Sequence, residues 1–224
     1  MGRTIFLGTI VRTATAAILL PLAACGQNKG RVENTQVEKT RMNDHAIVET
    51  SLGTFEIELY GDDAPKTVEN FVGLAEKKFF DGMRFHRVVN GFVIQTGDEK
   101  SKSPAKMSAW GTGGQSIWGK EFEDELNPTT ASFQEGYKKG VVAMANRGPN
   151  TNTSQFFIML ADNPRMPKHY TIFGKVVKGL DVVEKIGQVE IVPVNGPRDG
   201  RPKVDVIVRK VTIQKEGKAK GKTD

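Results

Sequence analysis

Between residues 44 and 214 the apolar positions recur mostly at every second place. Phe55, Ile57 and Leu59 alternate with Glu56 and Glu58, the mark of a strand with one face in a core. Similar runs predict strands over 46–50, 85–89, 92–95, 141–145, 155–160, 171–177 and 204–213, eight in all with 55–59. In the last of these the apolar phase slips between Val208 and Val211, which predicts a bulge at Lys210. Two stretches change to a helical period. Val68, Phe71, Val72 and Ala75 form one stripe behind Pro65, with Asp63 expected as N-cap, and a shorter helix is expected over 180–186. Eight mainly antiparallel strands and two helices predict a mainly β fold: a closed eight-stranded antiparallel barrel capped by two α-helices.

The flanks lack this patterning. Residues 1–24 hold Arg3 and Arg12, no acidic residue, and an uncharged run from Thr13 to Leu22 that is too short to span a bilayer, which is the layout of a secretory signal. Leu22-Ala23-Ala24-Cys25 resembles the lipobox of bacterial lipoproteins, so Cys25 is expected to be acylated and to anchor the mature chain in a lipid bilayer on the extracytoplasmic side, periplasmic or at the cell surface. Residues 26–43 carry only Val32, Val37 and Met42 as large apolar residues and read as a tether; as a flexible coil it would reach about 25 Å. Residues 215–224 read as a disordered basic tail.

Composition narrows the function classes. The 224 residues are 38% hydrophobic and 26% charged, as in a globular domain, and a single cysteine excludes an internal disulfide. The formal charge of +6 is spread along the chain rather than gathered into a stripe, so no nucleic-acid partner is expected. No Cys/His cluster offers ligands for a metal, and no cofactor motif is present. His45, His86 and His169 stand beside no Gly-x-Ser-x-Gly elbow, which argues against a hydrolase triad. Glu121, Glu123, Asp124 and Glu125 read as a solvated acidic turn. Gly111 to Gly114 could cradle an anion but lack the lysine and the helix of a phosphate loop. His86 and Asn70 are expected to be hydrogen-bonded in the core.

Two segments concentrate polar and aromatic residues around an arginine: Phe85-His86-Arg87-Val88-Val89-Asn90-Gly91-Phe92-Val93-Ile94-Gln95, and Met144-Ala145-Asn146-Arg147-Gly148-Pro149-Asn150-Thr151-Asn152-Thr153-Ser154-Gln155-Phe156-Phe157. A tight turn at Asn90-Gly91 would set Arg87 and Gln95 on paired strands near Phe92 and Phe157, a setting for an apolar group bearing one acceptor atom.

These segments, with WGTGGQSIWGKEFEDE at 110–125 and YTIFGKV at 170–176, closely resemble the cyclophilin-type peptidyl-prolyl cis-trans isomerases, most of all the short bacterial branch, with an extended loop at 99–109. The resemblance covers essentially residues 44–214. It implies isomerisation of X-Pro bonds in folding or exported polypeptides without metal or cofactor. Arg87, Gln95 and Asn146 take the catalytic positions, and Phe92, Val93, Ala145, Gln155, Phe157, Met166 and Tyr170 those that bind substrate. Val93 stands where methionine is usual, Tyr170 where many members have histidine, and Arg165 where many eukaryotic members have the tryptophan that serves cyclosporin. The competing expectation is a non-catalytic proline-peptide-binding or chaperone module on the same scaffold. No oligomer-forming helix is evident, so a monomer is expected.

Overall fold

Ten strands are joined by backbone hydrogen bonds in the computed structural model, which describes residues 44–215. The signal peptide, Cys25 with its tether, and residues 216–224 of the tail lie outside the described residues. In chain order the strands are β1 (His45–Thr50), β2 (Gly53–Leu59), β3 (Arg87–Val89), β4 (Val93–Thr96), β5 (Val141–Met144), β6 (Phe156–Met159), β7 (Ile172–Lys178), β8 (Ile191–Gly196), β9 (Asp199–Pro202) and β10 (Val208–Gln214). Three α-helices accompany them: α1 (Pro65–Glu76), α2 (Ala131–Glu135) and α3 (Leu180–Gly187). The expected loop at 99–109 is folded as two short 3-10 helices, Glu99–Lys102 and Pro104–Ala109.

The sheet corrects the predicted architecture. Every pairing is antiparallel, but the order β10-β1-β2-β7-β5-β6-β4-β3-β9-β8 is open, with ten strands rather than a closed eight-stranded barrel. The two extra strands are the β8–β9 hairpin, which extends the sheet beyond β3. Pro193 and Pro197, and the mostly solvent-facing side chains of β8, erase the alternation that marks the other strands. The flank of β3 and the flank of β10 meet through an isolated bridge, Arg84 with Ile207, and three backbone hydrogen bonds: Gly82 N donates to Val208 O at 2.8 Å, Val208 N to Met83 O at 2.7 Å and Phe85 N to Val206 O at 3.0 Å. The bulge in β10 is displaced by one residue: Glu49 pairs with Lys210 and Thr50 with Val208, so Arg209 is the extra residue.

Strands β5 and β6 are buried on both faces, and this creates two cores. Val142, Met144, Phe156, Ile158 and Ile94 point into the main core, where Phe71 of α1 lies 5.1 to 5.6 Å from the rings of Phe80, Phe156 and Phe173. The alternate residues Val141, Ala143, Phe157, Met159 and Val93 form a second, smaller cluster on the opposite face. That second cluster is the floor on which the candidate site is built.

The capping of α1 differs from the sequence pattern. Ala64 is the N-cap and offers no side-chain bond, while Asp63 Oδ2 accepts from Ser132 N at the start of α2. The exposed α1 N–H groups are met instead by Glu125, whose carboxylate accepts from Lys66 N at 3.0 Å, Thr67 N at 2.8 Å and Thr67 Oγ1 at 2.7 Å. The acidic run is therefore a set of ties rather than a solvated turn: Glu123 pairs with Lys66, Glu121 with Arg147, and Asp124 holds the 146–152 loop through Asn150 N and Asn152 Nδ2. Glu125→Ala leaves the first turn of α1 without acceptors and should cost about 1 to 2 kcal/mol, the range of a lost N-cap. Thermal unfolding checks this; an unchanged midpoint would show that the cap contributes nothing.

Candidate active site

The β3–β4 pair sets the geometry. Arg87 is directly opposite Gln95, Val88 opposite Ile94 and Val89 opposite Val93, and the connection is the three-residue turn Asn90-Gly91-Phe92. Gly91 takes a φ of +75°, which glycine supplies without strain. Phe92 thus belongs to the turn rather than to the strand, and it packs against the second cluster.

Arg87, Phe92, Val93, Gln95, Ala145, Asn146, Phe157, Met166 and Tyr170 line one cavity of about 240 Å³. The structure thus brings nine of the ten expected catalytic and substrate-binding residues around a single space. Phe157 from β6 forms the floor, and the Tyr170 ring stands edge-on to it at 5.4 Å. Tyr170 is held by its own backbone: Tyr137 Oη donates to Tyr170 O at 2.9 Å and accepts from Tyr170 N at 3.0 Å. Burial pushes the Tyr137 phenol up to about 12, so this hydroxyl keeps its proton. Asn146 lies beyond the end of β5, with its Nδ2 donating to His169 O at 2.9 Å.

Gln155 is the residue the structure does not bring to the cavity. It stands behind Gln95 in a chain of hydrogen bonds with one direction. Arg87 NH1 donates to Gln95 Oε1 at 3.2 Å, Gln95 Nε2 to Gln155 Oε1 at 2.9 Å, and Gln155 Nε2 to the carbonyls of Gly111 and Gly113 at 3.0 and 2.8 Å. Because each amide donates forward and accepts from behind, both amide orientations are fixed. The Gly111–Gly114 loop in turn binds an internal anion rather than a ligand: Gly111 N and Gly113 N donate to Asp98, which is fully buried, and Gly114 N donates to Glu99. A Cβ at Gly113 would sit 2.1 Å from Asp98 Oδ1, so the approach requires glycine.

The sequence reading missed Asp199. Its carboxylate takes both Nε of Arg87, at 2.9 Å, and NH2, at 2.8 Å, in a bidentate pair. The Arg87 hydrogen bonds hold the Asp199 carboxyl below the usual carboxylate range against a smaller opposing effect of burial, and the same pair raises the arginine. The β8–β9 hairpin that delivers this residue turns at Pro197-Arg198, between the paired Gly196 and Asp199. A guanidinium has five N–H donors; three are spent on Asp199 and Gln95, leaving two. The arrangement is a fixed cation with free donors at the edge of an apolar cavity.

His86 and Asn70 separate. Asn70 is satisfied in the core, donating to Thr153 O and accepting from Ile117 N, whereas neither ring nitrogen of His86 has a partner in bonding geometry. Among the described residues, no group of three or more His, Cys, Asp or Glu is placed to hold a metal ion, and no helix is long and apolar enough to cross a membrane.

Comparison with known proteins places this geometry. The chain is 42% identical over 172 residues to peptidyl-prolyl cis-trans isomerase-like 1 of Neurospora crassa, covering 75% of this chain and 93% of that protein. It is 42% identical over 176 residues to peptidyl-prolyl cis-trans isomerase CYP71 of Arabidopsis thaliana, covering 79% of this chain but only 25% of the relative, so it spans about a quarter of that longer protein. The crystal structure of a Cryptosporidium parvum cyclophilin type peptidyl-prolyl cis-trans isomerase superposes with a TM-score of 0.65 at 29% identity, covering 78% of this chain and 99% of that one. The same protein solved in the presence of the dipeptide Ala-Pro gives 0.64, with 77% and 99% coverage. A family model described as "Cyclophilin type peptidyl-prolyl cis-trans isomerase/CLD" matches residues 45–213, and the chain belongs to the cyclophilin-type peptidyl-prolyl cis-trans isomerase family.

Proposed function

We propose that this protein catalyses cis-trans isomerisation of X-Pro bonds in polypeptide clients, with Arg87 stabilising the twisted amide. The observation that carries the reading is the guanidinium held by Asp199 and Gln95 at the rim of the Phe157-floored cavity with two N–H donors unspent. An X-Pro amide crosses a barrier near ~20 kcal/mol because its nitrogen lone pair is delocalised into the carbonyl. Twisting localises that pair on nitrogen, where an Arg87 N–H can bond it; the planar ground state offers no such acceptor. The prolyl ring occupies the cavity between Phe92, Phe157 and Met166, and Gln95 and Asn146 grip the chain on one side of the bond, so rotation is confined to the other. An acceleration of about 10⁵ requires only about 7 kcal/mol. No nucleophile enters this scheme.

The neighbour solved in the presence of Ala-Pro supports a proline-containing peptide as the ligand here. Relaxation of an Ala-Pro peptide from a cis-enriched state should be faster with catalytic amounts of protein. Binding without acceleration would establish the non-catalytic module instead.

We further infer that the protein is an exported monomer of the bacterial branch, anchored through acylated Cys25. This rests on the run Thr13–Leu22 and the tetrad Leu22-Ala23-Ala24-Cys25. The relatives named above are eukaryotic. Cys25→Ser should shift the protein out of the membrane fraction or block its processing, and continued membrane attachment would overturn the anchor.

A further inference from the structure

A second cavity, of about 450 Å³, lies on the other side of Arg87 and Gln95, which line both spaces. Its far walls come from Met107 in the second 3-10 helix, from Trp110 just after that helix, and from Val194 on β8, the partner strand of the one that carries Asp199. Five large apolar side chains are exposed among the described residues, and two of them, Met107 at 38% and Val194 at 60%, line this one cavity. The Trp110 wall is preformed. Its Nε1 donates to Ser103 O at 3.1 Å, and the Arg84 guanidinium lies 5.6 Å from its ring centroid.

His86 backs this cavity and is 92% buried, with both ring nitrogens shielded from solvent. Burial pushes its pKa down to about 4, against the pull of Asp98, so a neutral ring lies behind the wall.

We propose that this cavity is a subsite for the client residue flanking the proline, receiving an apolar side chain between Met107, Val194 and the Trp110 ring. The inference rests on the isomerase reading, because the shared Arg87–Gln95 wall makes the two cavities consecutive along one bound chain. Successive residues of an extended peptide advance by about 3.5 Å and alternate sides, so a neighbour of the proline is carried across that wall.

The test uses proline peptides with alanine or leucine at either flank, scored by dissociation constant from titration calorimetry and by isomerisation rate. Wild-type protein should prefer leucine over alanine at one flank by about tenfold, the usual discrimination of an apolar pocket. Val194→Asp and Met107→Asp should each bring that preference close to unity, with alanine-flanked peptides bound as before. Both side chains are exposed, so misfolding is no escape, and a thermal melt confirms it. Equal affinity for both peptides at both flanks, or a leucine preference that survives both substitutions, overturns the subsite. Failure of the isomerase reading has a different signature: no peptide relaxes faster, while the calorimetric preference still decides the subsite.

Discussion

Arg87→Ala should leave a folded domain that has lost nearly all isomerase activity. The side chain is 38% exposed, and the strand on which it sits stays paired through Val88 with Ile94 and with Gly200, so the fold does not depend on the guanidinium. The ion pair with Asp199 is partly solvated and its loss should cost about 1 kcal/mol of stability or less. Deleting one transition-state donor in a preorganised site costs roughly 2 to 4 kcal/mol, which is about 30- to 1,000-fold in kcat/KM. The companion variant is Asp199→Asn, which keeps the shape but removes the charge that fixes the guanidinium. Here kcat should fall about tenfold with KM little changed, since the cavity itself is untouched, and Asp199→Glu should recover part of the loss. Because the Asp199 carboxyl is held below its ordinary range, the clamp stays intact as pH falls through that range, and the wild-type rate should be flat from neutral to mildly acid pH. Near-full activity of Arg87→Ala on a peptide substrate would place the chemistry elsewhere.

The sequence revealed the parts of the molecule whose physics is local. Alternation located strands with one buried face such as β1 and β2, short continuous apolar runs located β5 and β6, which are buried on both faces, and the 3.6-residue stripe located α1 and α3. Arg87 and Gln95 could be placed on paired strands because Asn90-Gly91 fixes a turn between them. The β8–β9 hairpin stayed hidden because the side chains of β8 are largely in water and because three prolines, Pro193, Pro197 and Pro202, and the glycines of its short strands leave no apolar alternation to read. With the hairpin went Asp199, a residue 112 positions from the arginine it orients. The same limit hid the work of the acidic run. Glu125 is separated from the α1 N–H groups it caps by 58 to 59 residues, and a local reading assigns such a carboxylate to solvent. His86, just before Arg87, is buried as its apolar setting suggests, and only the folded chain shows that it backs a cavity.

Cyclosporin should bind this protein weakly while catalysis persists. The resemblance to cyclophilins implies a groove that accepts the cyclic peptide, and in sensitive members a tryptophan contributes an indole N–H and a broad apolar face. Here Arg165 is exposed outside the cavity, and the loop turns Met166 inward instead, with Met166 N donating to Asn163 O at 3.2 Å. A thioether chain fills space against Phe157 but donates no hydrogen bond. Losing one hydrogen bond at about 1 kcal/mol and part of an aromatic's contact at about 25 cal/mol per Å² sums to roughly 2 to 4 kcal/mol. That corresponds to about 30- to 1,000-fold weaker binding. Turnover should be spared, because the groups assigned to the twisted amide and the prolyl ring are Arg87, Gln95, Phe92 and Phe157, none of which depends on position 165. Arg165→Trp should then recover inhibition without changing kcat/KM. A nanomolar dissociation constant for the unaltered protein, measured by titration calorimetry, would show that Met166 and the locked Tyr170 ring together replace the indole.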